Sequence, residues 1–404
     1  MKLPARIISS SGFAADPETV LRDLHKNHPP VVQIKMPFFG TCWVPTRHSV
    51  CSEVLKNKDR FVREARNAKS RGAIALRMLP RSVRSLYDNL VNKDDPDHKR
   101  LRSLVDQAFM RRNIDTMRGD IEARVDRYLD QLPKGQVVDI STALSQPLPV
   151  YVIAEMLGME PAEAEAILDR MGFMRTDTTK WLIFKGLMQL GSIQRTMGDI
   201  VDRIREEDES GLIGHMWDAE AESQRLTREE IVTMVFTLFF AGHETTVHLI
   251  NGLILSLLDH PEQREMLMRD PSLGDSMVDE GLRYFSPVTL TKPFHVAKKV
   301  QLRGATISRG QMVMPLIIAA NRDPREFEEA HKFQIDRKEN RHLSFSGGPH
   351  FCLGARLAKM ETEIAITRLF QRFPDVHLAV PKKELKWRSR LGLRALNGLP
   401  LKLS

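Results

Sequence analysis

Cysteine is scarce in this chain: the 404 residues contain only Cys42, Cys51 and Cys352. An odd number at wide spacing excludes a disulfide framework and points to a reducing compartment. It also excludes a cysteine cluster of the iron–sulfur kind. Aromatic residues make up 6% and the basic residues are scattered, so a net charge of +8 argues for an anionic surface or an acidic protein partner rather than nucleic acid. There is no internal repeat, no low-complexity tract and no long Pro/Gly/Ser linker. No Gly-x-Gly-x-x-Gly is present to bind a nucleotide. Residues 1–16 hold no continuous apolar stretch of the signal-peptide kind, so the expected location is the cytoplasm. Against these absences stand 42% hydrophobic and 28% charged residues, enough for a large core. The expectation is a single domain over residues 1–404.

The stretch Phe345-Ser346-Gly347-Gly348-Pro349-His350-Phe351-Cys352-Leu353-Gly354 concentrates the chemistry. Leu353, Leu357, Met360, Ile364 and Leu369 recur at helical spacing, which places Cys352 at a helix N-terminus. Free backbone N–H groups and the helix dipole favour a thiolate there. Gly347, Gly348 and Gly354 leave no side chain to keep a flat ligand from the backbone. Such a thiolate suits a haem iron. A lone cysteine would read as a core residue beside a turn, but here the whole string has to be explained.

A second stretch lies in a long apolar helix. Thr227-Arg228-Glu229-Glu230 is a capping box, and Ile231 to about Leu258 is apolar almost all round, as in a buried helix about 40 Å long. That length raises the question of a membrane span, which the polar residues at its middle oppose. The interruption is Ala241-Gly242-His243-Glu244-Thr245-Thr246. Gly242 weakens the helix and Thr245 can bond back one turn, so a local opening that admits water and oxygen is expected. Glu244 would supply protons and the Thr245 hydroxyl would orient them. His243-Glu244 also resembles the start of a zinc-peptidase His-Glu-x-x-His. The next histidine is His248, however, and five residues turn a helix by about 500°, so the two rings point roughly 140° apart and cannot share a metal.

Elsewhere, residues 31–45 read as a hairpin and a helix follows through Val50 and Leu55. Residues 60–84 carry Arg60, Arg63, Arg66, Lys69, Arg71, Arg77, Arg81 and Arg84, either a solvated segment or a loop attracting an anionic substrate or its carrier. Asp94 to Asp97 starts a helix whose His98 and Arg102 share a face. Helices are expected at 114–131, 141–157 and 162–170, and strands at 300–302 and 312–316 around a turn at 308–310.

These strings, in this order, resemble the cytochrome P-450 monooxygenases. The cysteine loop matches the haem-binding pattern, with Ser346 where glycine is commoner. Ala241 to Thr246 matches the oxygen-activation motif. His98-x-x-x-Arg102 matches a propionate-binding pair, and Glu280-x-x-Arg283 a buried ion pair. The resemblance implies a mainly α fold with small β-sheets, holding haem b between the long helix and the cysteine helix. Cys352 would be the axial ligand, favouring O–O cleavage. Ala241, Phe345 and Gly354 would line the haem, and His98, Arg102 and His350 would meet its propionates. The family's usual arginine after Pro287-Val288-Thr289-Leu290 is absent from Thr291-Lys292-Pro293-Phe294-His295. His295 is assigned its role, with Lys292 as the other candidate. The third member of the Glu280–Arg283 cluster is usually an arginine, and here Lys332 lies near the expected place. Phe240, Val288, Thr289 and Leu391 become substrate contacts. Residues 171–192, with Phe173, Met174, Trp181, Phe184 and Met188, correspond to the lid over the distal pocket.

The implied activity inserts one oxygen atom from O2 into a hydrophobic substrate by hydroxylation or epoxidation. Electrons would come from NAD(P)H through a ferredoxin and its reductase, in secondary metabolism, with the chain a monomer. Lys99, Arg100, Arg111, Arg112, Arg356 and Lys359 would steer an acidic ferredoxin. One rival is a peroxide-driven peroxygenase of the same fold, but such enzymes carry Arg-Pro in place of Glu244-Thr245. Another is a haem sensor or carrier, which would need neither residue. The substrate stays open among a carboxylate-bearing or carrier-bound lipid, a macrolide, a terpenoid and a steroid.

Overall fold

Period-two alternation builds the hairpin anticipated at residues 31–45, and the hairpin seeds the largest sheet. The structure, a computed structural model, describes residues 2–4, 6–36, 40–70, 88–170, 180–207, 211–221 and 224–403. Strands β1 (Lys2–Pro4), β2 (Val31–Met36), β3 (Gly40–Pro45), β4 (Phe61–Val62), β5 (Phe294–Val296) and β6 (Met312–Val313) form one sheet in the order β1-β2-β3-β6-β5-β4. Both faces are covered. Val32, Ile34 and Val44 join one apolar cluster with Leu21 and Leu24, while Val31, Phe294, Val296 and Val313 join another with Val50 and Val54. The strand expected at 312–316 stops at Val313, and Leu316 makes only an isolated bridge to Leu290.

The longer helices are α1 (Glu18–Asn27), α2 (His48–Lys56), α3 (Asp97–Arg112), α4 (Arg118–Asp130), α5 (Pro147–Leu157), α6 (Pro161–Arg170), α7 (Lys180–Glu207), α8 (Arg228–Asp259), α9 (Pro261–Arg269), α10 (Gly274–Tyr284) and α11 (Ala355–Arg372). The helix expected at 114–131 is divided: Asn113 is left-handed (φ 49°), Ile114–Met117 is a 3-10 turn, and α4 begins at Arg118. The fold is thus mainly α with small sheets. Among the described residues no helix is long and apolar enough to cross a membrane.

Contacts divide the chain into two compact units. The first comprises residues 1–72, 122–146 and 245–404. It holds the large sheet, the α10–α11 pair, and a three-stranded sheet in which Pro400–Lys402 lies between Val137–Asp139 and His377–Leu378. The second comprises residues 73–121 and 147–244, where α3 packs on Leu212–Asp218 and α5 on α6.

Candidate active site

The glycine-rich loop closes on itself before α11. Ser346 N–H donates to Leu343 O (2.8 Å), and Cys352 N–H donates to Phe345 O (2.9 Å). Ser346 has φ 66°, the left-handed region that favours glycine, which explains why this position so readily takes glycine. At Gly348 (φ 64°) an added Cβ would lie 2.8 Å from Leu55 O and 2.9 Å from Lys56 Cα, so the approach of the α2 backbone, not a ligand, demands this glycine. Gly354 is different: a Cβ there meets nothing within 4 Å. Helix α11 begins at Ala355 with Gly354 as N-cap. Cys352 therefore stands two residues ahead of the N-cap of α11, next to the helix N-terminus its spacing pointed to. Its side chain is exposed. Cys42 and Cys51 are buried, and burial pushes the Cys42 thiol up to about 12 and the Cys51 thiol further.

The capping box of α8 forms reciprocally, with Thr227 N–H on Glu230 Oε2 (2.9 Å) and Glu230 N–H on Thr227 Oγ1 (3.2 Å). Helix α8 is continuous through Ala241–Thr246, the stretch where a local opening is expected. One glycine costs a helix only about 1 kcal/mol, too little to break so long an element. Gly242 instead admits a neighbour: its Cβ would lie 2.8 Å from Ile153 Cδ1 of α5. Ala241 is exposed and Thr237, Leu238, Phe240, Gly242, Glu244 and Thr245 are partly accessible, so residues 237–245 are the accessible stretch in the middle of a mostly buried helix. His243 and His248 are buried. No group of three or more metal-ligating side chains occurs among the described residues. Phe240 is half-buried and stacks on Phe236 (6.3 Å). The Thr246 hydroxyl donates to the carboxyl of Glu361 on α11, and burial raises the Glu361 pKa well above the usual carboxylate range.

On α3, His98 is buried, with Nδ1 3.6 Å from Asp95, and burial lowers its pKa. Arg102 Nε lies 3.0 Å from each oxygen of Asp106. In the first unit, Val288 bridges Leu393, and Thr289 N–H donates to Gly392 O (3.0 Å). The loop holding exposed Leu391 thus meets the segment after α10. His350 and Phe345 are half-buried and His295 is 4% exposed. The side chains of Phe173, Met174, Trp181, Phe184 and Met188, and the arginines Arg71, Arg77, Arg81 and Arg84, lie outside the described residues.

The family model for cytochrome P450 matches residues 151–390, more than half of the chain. The chain belongs to the cytochrome P450 family. It is 34% identical over 395 residues to the polyketide biosynthesis cytochrome P450 PksS of Bacillus subtilis, covering 97% of each chain. The solved structure of PksS superposes with a TM-score of 0.89 at 33% identity, covering 98% of this chain and 99% of that one. The 6-deoxyerythronolide B hydroxylase of Saccharopolyspora erythraea is 34% identical over 336 residues, 80% of each chain. This P450 is accordingly an enzyme of the monooxygenase class, and the family implies a haem with a cysteine thiolate.

The residues present fit that group: the exposed Cys352 thiol and the open space over Gly354 are what a flat, thiolate-held ligand needs. Two residues of this P450 are not visible in its sequence pattern. Arg337, not Lys332, completes the Glu280–Arg283 cluster, with Nε 3.1 Å from Glu280, while Lys332 contributes only its carbonyl to Arg283 (2.7 Å). Glu361 is the second. Arg63, named above in the basic segment, is stacked over Phe294. The expected basic face is partly neutralised, since Arg100 pairs with Glu230, Arg112 with Glu155 (3.7 Å) and Lys359 with Asp275 and Asp279 (both 2.9 Å). Lys99, Arg111 and Arg356 remain exposed.

Proposed function

We propose that this P450 inserts one oxygen atom from O2 into a hydrophobic, polyketide-derived substrate by hydroxylation or epoxidation. Electrons come from NAD(P)H through a ferredoxin and its reductase. The carrying observation is that Glu244 and Thr245 are both partly accessible in the middle of a long, mostly buried helix. A peroxygenase or a haem carrier has no use for an acid and an alcohol there. The polyketide class is supported by the names of PksS and of the 6-deoxyerythronolide B hydroxylase.

Haem b, when bound, would supply the oxygen activation and the redox chemistry, and the Cys352 sulfur would hold its iron. The chain does the rest. Glu244 holds a proton at its carboxyl, and the Thr245 hydroxyl passes it on within hydrogen-bond reach. Arg102, His98 and His350 hold the propionates through charge-assisted and neutral hydrogen bonds. Phe240, Val288 and Leu391 offer apolar contact to the substrate, and Thr289, tied to Gly392, fixes the segment. Lys99, Arg111 and Arg356 attract an acidic ferredoxin, so raising salt should slow reduction at low partner concentration.

The test is a ferrous–carbonyl difference spectrum, then turnover with a ferredoxin, its reductase, NAD(P)H and a panel of macrolactones. A strongly red-shifted Soret band and an oxygenated product support the proposal. Haem binding with products formed only from added peroxide would sink it.

A further inference from the structure

Helices α10 and α11 pack together and bring Asp279 of the first against Lys359 of the second. The Lys359 ammonium donates to Asp275 and Asp279, at 2.9 Å each. His342, on the irregular segment that leads into the cysteine loop, has a side chain only 8% exposed, with Nε2 3.4 Å from Asp279 Oδ1. Its Nδ1 accepts from the Ser344 N–H at 3.3 Å. That acceptance puts the ring proton on Nε2, so a neutral imidazole donates to Asp279. Burial works against the Asp279 carboxylate, but hydrogen bonds from His342 and Lys359 outweigh it and hold its pKa below the ordinary value. The His342 ring also rests against Phe345 (5.8 Å between centroids), and the Phe345 carbonyl accepts the Cys352 N–H (2.9 Å). One imidazole thus links a charged pair to the main chain that carries Cys352.

We propose that Asp279 and His342 are a positioning pair for the cysteine ligand: His342 holds the backbone at Ser344 and Phe345, and the charge of Asp279, offset by Lys359, sets how readily the haem iron takes an electron. A carboxylate opposes the arrival of negative charge at the iron and an ammonium favours it, so the balance of the two acts on the reduction potential. Three variants separate the parts. Asp279→Asn keeps an acceptor for the His342 Nε2–H and removes the negative charge. Lys359→Met removes the positive charge and leaves His342 bonded to Asp279. His342→Phe keeps an aromatic ring against Phe345 and loses both hydrogen bonds. The inference rests on the haem site of this P450 and not on the polyketide assignment.

The experiment uses the full-length holoenzyme and has two readouts. Hydrogen exchange, followed by mass spectrometry, reports the amides of residues 343–346. His342→Phe should speed exchange there on the order of tenfold, as loss of one hydrogen bond does, while Asp279→Asn and Lys359→Met keep the wild-type rate. Spectroelectrochemistry reports the midpoint potential. Asp279→Asn should favour electron uptake and Lys359→Met should disfavour it, each on the order of fivefold, or roughly 40 mV at about 59 mV per tenfold for one electron. All variants should keep the red-shifted ferrous–carbonyl band. Potentials that move in the same direction, or not at all, overturn the proposal, and so does wild-type exchange in His342→Phe. If His342→Phe does not fold, the opposite signs of the two charge variants decide. A wild type without the red-shifted band would count against the haem-thiolate reading and take this inference with it. That band with unmoved potentials overturns the inference alone.

Discussion

Arg283 and Glu280 are joined by two hydrogen bonds of 2.7 Å, and neither side chain is exposed. Arg337 and Asn340 each add a 3.1 Å bond to the same Glu280 oxygen, and Arg283 also donates to the carbonyls of Asn321, Ala330 and Lys332. One helix pair thereby fixes the irregular segment that leads into the cysteine loop. Arg283→Ala leaves Glu280 buried opposite a void, and the expected loss is about 3–5 kcal/mol. Arg337→Lys keeps a charge near Glu280 but loses the fork, and should cost distinctly less. Urea midpoints followed by far-UV circular dichroism check the order, and equal losses would show that Arg337 matters as much as the central pair.

The two partners on α10 were legible because they are three residues apart on a single helix. Arg337 was not, since it arrives 57 residues later through a stretch without periodicity. The cysteine loop was legible for the same local reason, its ten residues being contiguous. Arg63 becomes meaningful only once β4 lies beside β5, a pairing that links residues more than 200 apart. Glu361 sits in the run Met360-Glu361-Thr362-Glu363, and nothing there reveals that Glu361 is buried while Glu363 is half-exposed. Nothing local to Gly242 reveals that Ile153 of α5 comes to lie against it.

Two glycines of the cysteine loop should respond oppositely. Gly348→Ala forces a side chain into a left-handed residue and against the α2 backbone, at a cost of about 1–3 kcal/mol. Gly354→Leu meets open space and an ordinary φ of −88°, so the apoprotein should unfold within about 0.5 kcal/mol of wild type. Haem uptake by Gly354→Leu should nonetheless fall, because the side chain fills the space the ligand needs. Calorimetry of the apoproteins and Soret titration read the two effects separately. Normal uptake by the leucine variant would mean that the space over Gly354 belongs to something else.

Glu361 contributes a pH dependence of known sign. Its folded pKa is raised, so the native state holds a proton that the unfolded chain releases above the usual carboxylate value of about 4.3. The native state then binds more protons than the unfolded one, and stability falls as pH rises from that value through the raised pKa. Glu361→Gln keeps an acceptor for the Thr246 hydroxyl without a group to ionise. The slope of Tm against pH between 5 and 9 should therefore flatten in the variant, with the largest gain at the alkaline end. A slope unchanged from wild type would mean that Glu361 is not the group responsible.

Glu244 and Thr245 are both partly accessible on α8, but they should fail differently when replaced. Thr245→Ala removes only the hydroxyl that passes the proton on. Electron consumption should continue, while product formed per NAD(P)H drops and hydrogen peroxide accumulates. Glu244→Gln removes the proton itself, so total turnover should slow, on the order of 100-fold, with a larger solvent isotope effect. Both variants should keep the wild-type carbonyl spectrum, because neither touches Cys352. The measurement is a balance of NAD(P)H, O2, peroxide and product with one substrate and one redox partner. If Thr245→Ala still couples every electron pair to product, the hydroxyl is a structural feature of the helix, and proton delivery runs by another route.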